Sequence, residues 1–205
     1  MSEDEVRAAL TAERRAQVEL YASLAEEQWD TPSLCSGWRV REVLAHITMP
    51  GRYSLRRMTW EVAKARGSLD RMADRRARID AARLSAGQLW ESLRDDVGHP
   101  WAPHGDGLLG ALSHDVIHGL DVSVPLGLDH LASPDRVRLV LGGLRPGQFD
   151  HVDGVQLQAT DVDWTYGIGE PVRGRAQDLL LLVCGRRLPA GRLQGRASAR
   201  FAPAL

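Results

Sequence analysis

Leu108–Leu126, which reads LLGALSHDVIHGLDVSVPL, decides the fold. Leu112, Val116, Leu120 and Val124 recur every four residues and make one apolar stripe of a helix, with Ile117 at its seam. His114, His118 and Asp121 fall on another stripe, because residues three and four apart on a helix lie one above the next. A helix with core on one stripe and His-His-Asp on another is not a generic surface helix. Gly127 ends it.

Working outward toward the N-terminus, further helices come into view. Ser2 with Glu5 has the pattern of a capping box. Val6, Leu10, Val18, Leu24 and Trp29 are spaced for one long amphipathic helix, stopped by Thr31-Pro32-Ser33. After a loop at Cys35-Ser36-Gly37, a second helix opens near Trp38 and carries Val40, Val43, Leu44 and Ile47. Pro50-Gly51 breaks or kinks it, and helical sequence continues with Tyr53, Leu55, Met58, Trp60 and Val62. The stretch from Arg66 to Arg83 is heavily charged with few apolar anchors and predicts an exposed helix. Leu89, Trp90 and Leu93 return to helical periodicity, and residues 100–107 read as a loop. Four main helices joined by loops predict an antiparallel bundle.

The chemistry of the chain changes after Leu144-Arg145-Pro146-Gly147. Val155, Leu157 and Ala159, then Val162, Trp164 and Tyr166, alternate with polar residues as strands do. Gly167, Gly169 and Pro171 punctuate them, and Arg173–Arg186 reads as a helix before an irregular end. The expectation is an α+β protein: a helical bundle over residues 1–145 and a small α+β domain over 146–205.

Composition narrows the function. The chain has 205 residues, enough to bury roughly 70% of its unfolded surface, with 43% hydrophobic and 26% charged residues. A formal charge of −1 argues against an obligate partner of nucleic acid or of a membrane surface. Lys64 is the single lysine among 26 basic residues and there is no asparagine; arginine codons are mostly GC-rich, so this bias reads first as genome composition. From Arg173 onward, however, seven arginines accompany one acid, Asp178. An acidic N-terminus and the lack of a long apolar run predict a cytoplasmic location. Cys35 and Cys184 are expected to be reduced.

His114 and His118 place two imidazoles on one helix face for a single metal, and His46, on the inward part of the second helix, is the natural third ligand. Asp121 adjoins as support. Three neutral imidazoles leave a divalent ion, zinc foremost, with its full charge and an open position. His114-Asp115-Val116-Ile117-His118 also opens a second reading, a zinc hydrolase with Asp115 as base, although that side chain is one methylene shorter than the glutamate of the metalloprotease motif. A metal-binding module without catalysis is a third. Glu42, one turn before His46, is a candidate to orient it, and Cys35 a packed loop residue. His99, His104, His130 and His151 fall in loops.

Trp29-Asp30-Thr31-Pro32-Ser33-Leu34-Cys35-Ser36-Gly37-Trp38-Arg39-Val40-Arg41-Glu42-Val43-Leu44-Ala45-His46 resembles the first motif of mycothiol-dependent maleylpyruvate isomerase-like proteins, which belong with the DinB-like metal-dependent thiol S-transferases. His118-Gly119-Leu120-Asp121 with Pro125-Leu126-Gly127 is similar to their second motif. Trp164-Thr165-Tyr166-Gly167, Arg173–Ala176 and Gly185-Arg186-Arg187 resemble their C-terminal domain. The resemblance implies a four-helix bundle holding a divalent metal that activates the thiol of mycothiol against an electrophilic small molecule, by isomerisation or S-transfer. It implies Trp38 beside the thiol's sugar and Arg186 facing an anionic substrate. Where the isomerase carries glutamate, this chain has His114. Mycothiol and the electrophile are the implied partners, with a monomer or homodimer as the assembly.

Overall fold

In the computed structural model, residues 2–103, 105–128 and 132–201 are described. Serine hydroxyls start several of the helices, as their short acceptors suit an N-cap. Ser2 opens α1 (Glu3–Ala22) with the reciprocal Ser2–Glu5 bonds of a capping box. The helix stops earlier than its periodicity suggests. The Ser23 hydroxyl donates to Leu20 O at 2.7 Å, and Trp29 sits on a separate 3-10 turn, Glu26–Asp30, stacked on Tyr21.

Helix α2 (Val40–Ile47) begins two residues later than expected. Ser33 N bonds Trp38 O and Val40 N bonds Thr31 O, so the preceding loop closes on itself before the helix starts. A single turn, α3 (Met49–Arg52), takes Pro50 in its first turn. Then follow α4 (Leu55–Lys64), α5 (Leu69–Arg83), α6 (Ala86–Asp95) and α7 (Gly107–Ser123). Helix α5 is not the exposed helix its charges predict: Met72, Arg76, Ala77, Asp80 and Ala81 are buried, and the helix packs against α2 and α4. Arg76 and Asp80 neutralise each other one turn apart, at 2.6 Å, which lets charged residues occupy a buried face.

Helix α1 touches α6 and α7, and α2 touches the same two, so these four close into a ring. Leu112, Val116 and Leu120 of α7 are completely buried.

Beyond α7 lies a helix the periodicity did not announce, α8 (Pro134–Gly143), capped by Ser133. Strands β1 (Val155–Ala159), β2 (Thr165–Tyr166) and β3 (Glu170–Gly174) form a sheet in the order β2-β1-β3, and α9 (Ala176–Val183) packs on it. Leu157 pairs with Tyr166 on the antiparallel side and with Val172 on the parallel side. The strand expected over Val162–Tyr166 is only two residues long because the chain must cross the start of β1 to reach the other edge. Gly169 permits the crossing: its φ is +141°, and a Cβ there would stand 2.3 Å from Gly154 O. The expected helix from Arg173 is shorter for the same reason, since Arg173 and Gly174 belong to β3.

Among the described residues two large apolar cores result, beside a small cluster of Met49, Tyr53, Ala65 and Met72. One joins Val6 and Leu10 of α1 to α7, α8, α9 and the sheet; the other joins Leu20, Tyr21, Trp29, Val43, Leu44, Leu89 and Val122. Helix α7 supplies residues to both. Among the described residues no helix is long and apolar enough to cross a membrane.

Candidate metal centre

The last turn of α2 delivers His46 to the face of α7 that carries His114 and His118. One nitrogen from each ring lies within 4.8 Å of the other two. His114 Nε2 is 3.1 Å from His46 Nε2, close to the ~3.3–3.4 Å that separates two nitrogens bound about 2.0–2.1 Å from one tetrahedral ion.

The opposite nitrogens explain the orientation. His114 Nδ1 is 2.9 Å from Asp115 Oδ1 and His118 Nδ1 is 3.0 Å from Asp121 Oδ2. Each carboxylate can only accept, so each ring donates through Nδ1–H and turns its Nε2 lone pair inward. It follows that His46 donates through Nε2–H in the 3.1 Å contact, which leaves His46 Nδ1 bare. That buried nitrogen indeed has no hydrogen-bond partner. A cation that replaced the one proton shared at this centre would find three inward nitrogens. Burial, reinforced by the neighbouring rings of His118 and His114, holds the His46 pKa well below the ordinary value, and burial lowers that of His118. These two ligand candidates are therefore neutral at pH 7.

Both carboxylates are backed by arginine. Arg186 grips Asp121 with two parallel bonds, Nε to Oδ1 at 3.0 Å and Nη2 to Oδ2 at 2.9 Å. Burial alone would raise the Asp121 carboxyl, but the bonds from His118 and Arg186 outweigh it and keep the group below the usual carboxylate range. Arg14 holds Asp115 through Nε–Oδ2 at 2.8 Å. There too burial is overcome, by His114 and Arg14.

A cleft of about 450 Å³ opens over His46 and His118, walled by Cys35, Ser36, Trp38, Asp74 and Arg186. The loop before α2 reaches the site because Leu34 N bonds Asp121 O at 2.9 Å. Gly37, at φ +74°, turns it, and Arg78 Nη1 holds Gly37 O. Trp38 lies 5.2 Å from His46 between ring centroids and is pinned by Nε1–H to Asp74 at 2.7 Å. Cys35 is a free thiol, 2.9 Å from Asp121 Oδ2 and 3.6 Å from His118 Nδ1. Burial and then Asp121 push its pKa up, so it stays a thiol.

The structure thus brings His46, His114, His118, Asp121, Trp38 and Arg186 together. It corrects several expectations. Asp115 has one oxygen on His114 and the other on Arg14, is 5% exposed and does not line the cleft, so it is not placed to serve as a hydrolase base there. Glu42 does not touch His46; it is buried and accepts from Arg39 N, Nε and Nη2 as a helix-capping group. Arg186 reaches the cleft, but its fork is spent on Asp121, while Nη1 donates to Cys184 O and Nη2 also reaches Cys35 Sγ at 3.7 Å. At most one of its five N–H groups turns elsewhere. Three of the other C-terminal arginines are engaged elsewhere: Arg173 bonds Gln158, Arg192 pairs with Asp178 and Arg200 bonds Asp153 O. His99 accepts from Trp101 N and is half-buried. His151 lies on the 3-10 turn Pro146–Val152 and meets Leu182 O. His104 and His130 lie outside the described residues.

Sequence reasoning missed Arg14, the polar role of Cys35, and Trp101, whose ring stands 5.0 Å from His114. The partners of Arg14 and Cys35 are far away in sequence, 101 residues for Arg14 and Asp115 and 86 for Cys35 and Asp121, and no local pattern marks them.

Residues 10–104 match the family model described as the mycothiol maleylpyruvate isomerase N-terminal domain. Two solved structures share the fold: a mycothiol-dependent maleylpyruvate isomerase, with TM-score 0.63, and a histidine-to-alanine mutant of that enzyme, with TM-score 0.61. Each is 12% identical, over 96% of this chain and 94% of the other. The chain matches no curated protein.

Proposed function

Because residues 10–104 belong to the mycothiol maleylpyruvate isomerase N-terminal domain family, we propose that this protein is a metal- and mycothiol-dependent enzyme acting on an electrophilic small molecule, by isomerisation or S-transfer. One observation carries the reading: three imidazoles converge beside a cleft that His46 and His118 line, and the two on α7 each meet a carboxylate through Nδ1.

His46, His114 and His118 would hold the divalent ion through Nε2, with zinc the best match to an all-imidazole donor set. When bound, such an ion lowers the pKa of a thiol so that it is a thiolate at neutral pH. The chain's own residues do the rest. Asp121 and Asp115 hold the rings of His118 and His114 in register. Arg186 keeps Asp121 ionised beside the cleft, and its remaining N–H faces substrate as a single donor. Trp38 offers an indole face to the cofactor's sugar, and Asp74 keeps that indole in place. With three neutral ligands, the ion would retain its whole charge for the thiolate.

The test is metal content of the purified protein together with turnover of an electrophilic chloronitrobenzene reporter, with and without mycothiol. The reading expects about one zinc per chain and turnover that requires the thiol. Ester hydrolysis without added thiol, or a protein free of metal after preparation in zinc, would overturn it.

A further inference from the structure

We propose that Arg14, acting through Asp115, is a positioning residue that fixes His114 as its Nδ1–H tautomer and thereby aims the Nε2 lone pair at the centre. The inference rests on the metal-site reading above. Asp115 sits next to His114 in the chain, and neither it nor Arg14 lines the cleft over His46 and His118. Both are nearly inaccessible, at 5% and 7% exposure. The carboxylate has two oxygens and two partners: Arg14 Nε takes Oδ2 at 2.8 Å, which leaves Oδ1 for the imidazole at 2.9 Å. A carboxylate accepts and never donates, so the ring must place its proton on Nδ1.

The guanidinium does more than neutralise. Its Nη1 donates to His99 O at 2.6 Å and to Val97 O at 3.4 Å. It thus ties α1 both to the ligand helix and to the loop leading to Trp101, whose ring covers His114. Gln17, one turn further along α1, donates to Asp115 O at 2.6 Å and fixes the backbone at the same point. His46 offers the contrast: its Nδ1 has no partner, and no charged pair dictates its tautomer.

The test uses the metal-free, full-length protein at about pH 8, where an ordinary imidazole is neutral. Nitrogen-15 NMR reads which ring nitrogen of His114 carries the proton. Arg14→Met leaves a buried carboxylate unpaired and risks misfolding. The double variant Arg14→Met/Asp115→Asn removes both charges, and its amide can accept from Nδ1–H or donate to Nδ1. In the double variant His114 is expected to populate both tautomers, and zinc affinity, measured against a competing chelator, to fall about 10–100-fold. Asp80→Asn, a destabilising change in a different buried ion cluster, is expected to alter neither reading. A folded double variant that keeps the Nδ1–H tautomer and binds zinc within about twofold of the parent overturns the proposal. If the parent itself binds no zinc, the metal-site reading fails, while the tautomer measurement still decides whether the Arg14–Asp115 pair sets the tautomer.

Discussion

Helix α2 packs against both α5 and α7, and arginine–aspartate pairs are buried beside each of those helices. Near α5, Asp80 takes Arg76 at 2.6 Å, Arg52 at 2.7 Å and the Tyr53 hydroxyl at 2.8 Å, while Arg76 also donates to that hydroxyl. Near α7, Asp115 and Asp121 take Arg14 and Arg186, and their remaining lone pairs take the imidazoles of His114 and His118. In the first cluster the carboxylate of Asp80 is taken up by Arg76, Arg52 and Tyr53, and Arg52 donates on to Thr48 Oγ1 and Ala45 O. In the second, the chain of bonds ends on ring nitrogens that converge on one another with a single shared proton between them, which a cation could replace. Buried ion pairs by themselves are poor evidence of function; imidazole nitrogens converging beside a cleft are the informative part.

The strongest way to break this comparison is to remove a lone pair from the second cluster. His118→Ala or His114→Ala should abolish stoichiometric zinc binding and reduce thiol-dependent turnover by roughly 10³-fold or more, with the fold retained by circular dichroism. Full zinc occupancy in either variant would remove the site from consideration. Next in size is Asp80→Asn in the first cluster. It should cost about 3 kcal/mol in urea unfolding, the order expected when one partner of a buried pair is lost, and leave zinc affinity unchanged. A parallel loss of zinc would mean that the two clusters are one coupled unit.

A third measurement tests how burial is balanced on the α1 side. Glu13 is wholly buried, beside Arg136 and Gln17, and desolvation outweighs both partners to raise its pKa to about 6. A carboxyl that binds its proton more tightly when folded contributes stability below its ordinary pKa of 4.5, and that contribution is lost as pH rises through about 6. The size is on the order of 2 kcal/mol. Glu13→Gln should therefore flatten the stability profile between those pH values, as followed by denaturant midpoints. An unchanged profile would show that Glu13 is ionised throughout. The smallest effect is expected at Trp38→Ala: about a tenfold rise in the KM for mycothiol, or ~1.4 kcal/mol, with kcat nearly constant.

How far these features were legible in the sequence follows from the range of the interactions. The two histidines of α7 were legible because a helix converts a spacing of four into one face, and His46 because its neighbours Val43 and Leu44 mark the inward side of α2. Asp121 was legible for the same reason as His118. The burial of α5 was hidden because Arg76 and Asp80 look like solvent-facing residues until their pairing is known. Arg14 was hidden behind a separation of 101 residues. Helix α8, in contrast, was missed despite a readable start: Ser133-Pro134-Asp135 places a capping serine, a first-turn proline and an acid in the order that helix N-termini favour. The two-residue β2 was not legible, because only the crossing at Gly169 explains why the alternation from Val162 fails to become a strand.

The membership of α7 in both apolar cores has a consequence for hydrogen exchange. Leu112, Val116 and Leu120 belong to one core and Val122 to the other, so a local opening that frees the amides of α7 must disrupt both at once. Its amides should exchange only through the rarest, near-global openings of the chain. Those of α4, which leaves Leu55 and Trp60 at 81% and 62% exposure, should exchange through frequent local fraying. The helix that positions two of the three imidazoles is thus also the segment for which unfolding is least separable from unfolding of the whole protein.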